Sequence, residues 1–368
     1  MARHYLDHAS TSPARPEVVE AMLPWLSFAA DPGRVHTDGR VARGAVEHAR
    51  EQVAALLGAR PREVVFTSGA TEAVVAAVWG ATERGRHIIL PAVEHSAVRD
   101  ASAALAEVTE VGVDHLGRVD PDDVLDAVRP GETALVHVQW ANHEVGTVQP
   151  VAEIVARCRP RGVLVHVDAA AAAGHVTVGF GADLMSVSAH KLGGPQGVGA
   201  LLVRRGLRLR PLLVGGDQER SRRAGMENVA GIVGFGAAAD TLATALDVEA
   251  ARARAQTDVM AGAATQVEGV VTYGDPDGRA PHISCLGVAG VEAEAVLLGL
   301  DQAGIAAHSG SACSSESLEP SPVLAAMGVE AERSLRVSVG WSTTQEDVDA
   351  FCKAFPAVVA RLRSLRAS

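Results

Sequence analysis

Short runs of β-branched and aliphatic residues alternate along this chain with stretches whose apolar positions recur at helical spacing. "REVVFTSGATEAVVAAVWG" reads as strand, glycine turn and helix, and "RHIILPAVEHSAVRDASAAL" repeats that order. "TALVHVQWANHEVGTV" and "RGVLVHVDAAAAAG" are apolar strands ending in polar residues. "LMSVSAHKLGGPQGVGALLVRR" reads as two strands around a Gly-Pro turn. Strands apolar at nearly every position are buried on both faces, which points to a largely parallel sheet covered by helices. The expected class is therefore α/β. In such sheets ligands bind beyond the carboxyl ends of the strands. Thr71, His95, Asp168 and Lys191 each follow a predicted strand, so this topology gathers them at one edge.

The rhythm changes near residue 250. "ARARAQTDVMAGAATQV" reads as a helix, and "HISCLGV", "GIAAHSG" and "LRVSVG" as short strands flanking the helix "EAEAVLLGLDQAG". This predicts a smaller α+β domain. The N-terminal "HYLDHASTSP" is too short to stand alone and is assigned to it. The expected division is a large domain over 13–255, with 1–12 and 256–368 forming the small one. Thr343, with Glu346 three residues on, predicts a capping box at the start of the last helix.

Composition narrows the function classes. The 368 residues are 48% hydrophobic and 21% charged, an ordinary globular balance. A net charge of −11 argues against direct nucleic-acid binding. "MARHYLDHASTSP" reaches charged and turn residues at once, unlike a secretory leader. The most apolar stretch, "AGIVGFGAAADTLATAL", is broken by Asp240 and reads as too short to span a bilayer, so no membrane contact is expected. The four cysteines show no CxxC or paired spacing, and neither a disulfide framework nor a metal site is expected. A reducing cytoplasm is the expected setting. Cys158, Cys285 and Cys352 sit among apolar residues and read as small buried hydrophobes. Cys313, in "HSGSACSSESLEPSP", has neighbours that give mobility rather than packing. It is either a reactive group or a tolerated thiol.

Lys191 in "SAHKLGGP" follows a strand, and a lysine held in a site can form a Schiff base with a carbonyl cofactor. Asp168 ends a buried strand, where a carboxylate beside a pyridinium nitrogen would make pyridoxal phosphate (PLP) an electron sink. Thr71 in "TSGATE" opens a helix, and helix N-termini bind phosphate. His95 follows "LPAVE" and is placed to cover the ring. Each feature alone has an ordinary structural reading; all four in this order point to PLP.

The chain resembles the NifS/IscS-type (group I) cysteine desulfurases, fold-type I PLP enzymes of the class V aminotransferase group. "FTSGATE", "EH" before a helix, "NHEVGTVQP", "HVDA", "SAHKLGGPQGVGAL", "RRAGMENV" and "SGSACSSESLEPSPVLAAMG" carry the resemblance over nearly the whole chain. It implies a fold-type I transferase architecture and a PLP site formed by Ala70, Thr71, His95, His143, Asp168, Ser188, His190 and Lys191. Arg336, in "LRVSVG", and His143 would bind the substrate L-cysteine. Lys191 would anchor the cofactor and take the Cα proton, Asp168 would keep the pyridine nitrogen protonated, and His95 would stack on the ring. The Cys313 thiolate would take the sulfur as a persulfide and release L-alanine. A loop suits this residue, because it must collect sulfur in the pocket and deliver it elsewhere. A homodimer and a sulfur-acceptor protein are the partners implied: an iron–sulfur scaffold, a tRNA- or DNA-thiolation protein or a sulfur carrier.

Four positions depart from the family pattern. His143 stands where a second Asn usually lies near the cofactor oxygen, and Ala171 where a Gln usually does. Met226 replaces a Thr that reaches the partner subunit's phosphate, and Asp31 replaces an Asn. An imidazole can supply a hydrogen bond in place of the Asn; Ala171 and Met226 cannot. The alternatives are a selenocysteine lyase or other PLP-dependent C–S lyase, and a weakly active homologue acting as a partner-binding component.

Overall fold

A computed structural model describes residues 3–29, 31–309 and 321–367. Along the chain, β1 (His4–Tyr5) is followed by α1 (Pro16–Leu26) and α2 (Thr37–Leu56). Strands and helices then alternate as β2 (Val64–Thr67), α3 (Ala70–Ala81), β3 (His87–Pro91), α4 (Ser96–Leu105), β4 (Glu107–Val111), α5 (Pro121–Asp126), β5 (Thr133–Gln139), α6 (Val151–Cys158) and β6 (Leu164–Asp168). β7 (Leu184–Ser188) and β8 (Gly199–Val203) follow, then the short α7 (Gln218–Ser221) and the long α8 (Val229–Ala264). The remainder holds β9 (Val270–Tyr273), β10 (Ile283–Val288), α9 (Ala293–Gln302), β11 (Ile305–Ala306), α10 (Pro322–Ala326), β12 (Ser334–Ser338) and α11 (Gln345–Ala367).

The large sheet has the order β2-β8-β7-β6-β5-β3-β4. Pairings from β4 through β7 are parallel, and β8 runs antiparallel to both β7 and β2. Every residue of β5 and β7 is buried, as a strand covered on both faces requires. β4 ends the sheet and differs: Glu107 and Glu110 are exposed on it, and charge discourages further strand pairing. A three-stranded antiparallel sheet, β12-β10-β9, and the parallel pair β1–β11 form the rest. The expected α/β class and mainly parallel sheet are observed.

Two hydrophobic cores share one helix. Ile232, Phe235, Ala239 and Leu242 of α8 lie in the first core, and the helix packs there on α1 and α2. Phe235 meets the edge of the Phe66 ring at 6.4 Å between centroids. Burying one such side chain contributes roughly 1.5–3 kcal/mol. Further along α8, Met260 and Ala264 join the second core with Leu286, Phe351 and Phe355. At 36 residues α8 is much longer than its apolar stretch suggested. By length and composition it is long enough to cross a membrane. Its earlier apolar positions pack on α1 and α2 and its later ones on the second core, which is how a core helix packs.

The predicted capping box is displaced by one residue. Thr344 N–H donates to Asp347 Oδ2 at 2.8 Å, and Asp347 N–H donates back to Thr344 Oγ1 at 3.3 Å. Thr343 Oγ1 instead accepts from Gly340 N–H at 2.9 Å. Both positions are threonines followed three residues later by an acid, so only the path of the chain distinguishes them.

Candidate active site

The carboxyl ends of the central strands, the start of α3 and the N-terminal segment enclose a cavity of about 560 Å³. Asp168 is the last residue of β6, beside Gln139 of β5 and Ser186 of β7. Its Oδ1 accepts from Ser186 Oγ at 3.1 Å and from Ala170 N–H at 3.0 Å, which fixes the carboxylate at the cavity wall. Lys191 closes the turn that follows β7 and lines the same cavity, with Ser188 and His190. His190 Nδ1 lies 3.1 Å from Thr11 Oγ1, and burial lowers its pKa to about 4.

Ala70 and Thr71 form the first turn of α3, capped by Gly69 in extended conformation. β8 comes very close here: a Cβ on Gly199 would lie 2.8 Å from Gly69 Cα, which accounts for the glycine in "GVGAL". The first-turn N–H groups and the helix dipole favour an anion. Glu72 accepts from Ser68 N–H at 2.8 Å and pairs with Arg223 Nε at 2.9 Å. Arg222 donates to the carbonyls of Glu219 and Val64. Arg220 pairs with Glu47 at 2.8 Å, so all three arginines between Gln218 and Gly225 have partners within the chain.

His95 caps α4, its Nδ1 accepting from Ala97 N–H at 3.1 Å. In the neutral ring this leaves the hydrogen on Nε2. The His143 ring stands edge-on to it, 4.9 Å between centroids. His143 is 6% exposed and its Nδ1 is buried without a partner. Burial, then the charges of Lys191 and Arg336, lowers its pKa to about 3, so the ring is neutral. The neighbouring Asn142 builds the loop, its Oδ1 accepting from the N–H groups of Glu144 and Val145.

Arg336 rises from β12 and is 1% exposed. Nη1 donates to the His143 carbonyl at 2.8 Å, while Nη2 donates to Asp7 Oδ1 at 3.0 Å and Ser10 Oγ at 2.6 Å. Its Nε is buried without a partner. Arg336 lines the cavity wall.

The chemistry-bearing residues named from the sequence therefore surround one cavity, with Cys313 outside the described residues. Ala171 also lines the cavity, whereas Met226 does not and is 62% exposed. Asp31 pairs with Arg34 at 3.0 Å. Cys158 and Cys285 are buried, Cys352 is half-buried, and burial raises all three thiol pKa values, Cys158 to about 11. Sequence reasoning missed Asp7, Ser10, Glu144 and Ser321. Glu144 adjoins His143 in the same motif, and that adjacency was the available signal. It also missed Glu94, buried beside Asp168, whose pKa burial and that charge raise well above the carboxylate range.

Residues 4–351 match the aminotransferase class-V family. A cysteine desulfurase of Trichormus azollae is 43% identical over 98% of this chain and 94% of its own length. A NifS-like protein structure superposes with a TM-score of 0.91 at 31% identity, covering 98% of this chain and 100% of its own. A structure of SspA in complex with cysteine superposes with a TM-score of 0.81 at 29% identity, covering 92% and 99%. This chain belongs to the aminotransferase class-V family.

Proposed function

We propose that this protein is a PLP-dependent cysteine desulfurase. The observation that carries the reading is the convergence of Lys191, Asp168, His95 and the N-terminus of α3 on one cavity, with Arg336 on its wall. The donor set suits the cofactor: an amine, a carboxylate, an anion-binding helix start and an imidazole. Relatives named as cysteine desulfurases match nearly the full chain and support the same reading.

Bound PLP supplies an electron sink for charge developing at Cα of an amino acid. Ala70 and Thr71 would hold its phosphate, Ser188 and His190 would line its pocket, and Lys191 would anchor it. Asp168, fixed by Ser186 and Ala170, would keep the pyridine nitrogen protonated. His95 would cover the ring. Arg336 binds the carboxylate of L-cysteine, with His143 beside it. The Lys191 amine removes the Cα proton. The Cys313 thiolate attacks the substrate sulfur and the Cβ–S bond breaks. The electron pair left on Cβ takes a proton, giving L-alanine and a persulfide on Cys313.

The same proposal includes a large lobe over 13–255 and a small one formed by 1–12 and 256–368. It includes a homodimer, supported by exposed Leu213, Val214 and Met226, and a sulfur-acceptor protein. The test is a near-UV/visible spectrum of the purified protein, then addition of L-cysteine with alanine and sulfide measured. A cofactor band that changes as alanine forms supports the reading. No band after PLP is supplied would overturn it.

A further inference from the structure

Arg336 is assigned to the substrate carboxylate, yet it is 1% exposed, so almost none of its guanidinium reaches the cavity directly. Its Nη2 donates to Asp7 Oδ1 at 3.0 Å and to Ser10 Oγ at 2.6 Å. Ser10 is half-buried and lines the cavity beside Arg336.

The turn that carries Ser10 is held from several sides. Ser10 N–H donates to the Asp7 carbonyl at 3.2 Å, and the Tyr5 hydroxyl donates to the Thr11 carbonyl at 2.8 Å. Thr11 Oγ1 lies 3.1 Å from His190 Nδ1, which ties the turn to the segment bearing Lys191. Ser10 thus has a fixed place on the cavity wall.

A serine hydroxyl has one hydrogen, two lone pairs and a rotor that turns to suit its partners. One lone pair of Ser10 accepts from Arg336 Nη2, and the hydrogen is donated to Asp7 Oδ1 at 2.9 Å. That hydrogen is the part free to change partners. When it turns to a carboxylate in the cavity, Asp7 Oδ1 still accepts from Arg336 Nη2, so neither buried charge loses its partner. The N–H of the guanidinium also polarises the hydroxyl, and a donor within such a chain is stronger than an isolated one.

We propose that Ser10 is a substrate-binding residue whose hydroxyl, turned from Asp7 to the ligand, carries the charge of Arg336 to the carboxylate of the amino acid. The inference deepens the desulfurase reading and rests on it for the identity of the substrate. Its consequence is selectivity: an amine that bears a carboxylate gains the Ser10 bond, and an amine without one does not.

The test is calorimetric titration of the full chain, supplied with PLP, with L-alanine and with ethylamine, which is the same molecule without its carboxylate. Ser10→Ala should weaken L-alanine binding ~5- to 20-fold, the effect of losing one hydrogen bond to a charged group less the bond to Asp7 that it replaces. Ethylamine binding should be unchanged. Equal weakening of both ligands, or no weakening of L-alanine, would overturn the proposal. Should the variant fail to fold, a crystal structure of the unmodified chain with L-alanine decides the matter. A carboxylate oxygen within about 3.0 Å of Ser10 Oγ is expected, and a carboxylate beyond its reach would overturn the inference. Neither measurement needs turnover, so absence of alanine formation from L-cysteine would count against the desulfurase reading and leave the result on Ser10 standing.

Discussion

Arg336 Nη2 donates to Asp7 Oδ1 at 3.0 Å, so the arginine assigned to the substrate carboxylate already carries one carboxylate of the chain. The pair joins the N-terminal segment to β12. Arg336→Lys keeps the charge and loses the planar fork. Hydrogen bonds to charged groups contribute about 1.5–3 kcal/mol, so KM for L-cysteine should rise ~10- to 100-fold, with a smaller change in kcat. Steady-state alanine production against cysteine concentration checks this. An unchanged KM would remove Arg336 from the substrate site.

Cys313→Ser should stop persulfide formation and sulfur delivery from L-cysteine while leaving the cofactor absorbance intact. Labelled sulfur retained on the protein, with the spectrum recorded in parallel, separates the two. Undiminished sulfide release by the variant would favour the C–S lyase alternative.

Lys191→Ala should lower kcat by at least ~100-fold, because positioned general acid–base groups contribute about 10²–10⁴-fold. Lys191 is half-buried at the cavity wall, so its loss should leave thermal unfolding of the cofactor-free chain little changed. Single-turnover alanine formation and a melting curve on the same sample test both parts.

Stability should depend strongly on Glu219. Its oxygens accept from Arg50 Nη1 and Nη2 at 2.7 Å each, and Phe66 N–H donates to it at 3.0 Å. Both side chains are almost fully buried. Glu219 also adopts φ 49° within α7, a left-handed conformation that needs compensation from such contacts. Removing one partner of a buried pair costs about 3–5 kcal/mol, the expected effect of Glu219→Ala in urea unfolding. A change within about 0.5 kcal/mol, as at an ordinary surface site, would refute the assignment.

Acid should destabilise the protein between about pH 6.5 and 4. Burial lowers the pKa of His8 and His143 to about 3 and of His166, His175 and His190 to about 4. His137 and His282 are lowered well below the usual range for the same reason. As pH falls below 6.5 the unfolded chain binds protons that the native chain refuses, so stability decreases. Glu144 acts in the opposite sense, since its native carboxyl takes up a proton first as pH falls from about 7 to 4.5. Glu94 and Glu227 act likewise, but the eight lowered imidazoles, His87 among them, outnumber the three raised acids. Urea midpoints at pH 7 and pH 5 test the sign, and a higher midpoint at pH 5 would contradict it.

Local pattern by itself determined the alternation of buried strands and helices, the largely parallel sheet, and the strand-end positions of Thr71, His95, Asp168 and Lys191. It could do so because burial on two faces leaves a continuous apolar run, and because a parallel sheet collects its strand ends at one edge. Tertiary structure alone decided which remote groups meet. Ser321 and Glu144 are 177 residues apart, and Asp7 and Arg336 are 329 apart. Neither pair leaves a periodic trace in the chain. The full length of α8 was hidden for a related reason: its two apolar portions face different cores, so no single stripe runs along it. The same holds for His143: its identity is plain in "ANHEVG", but only the fold sets its ring edge-on to His95.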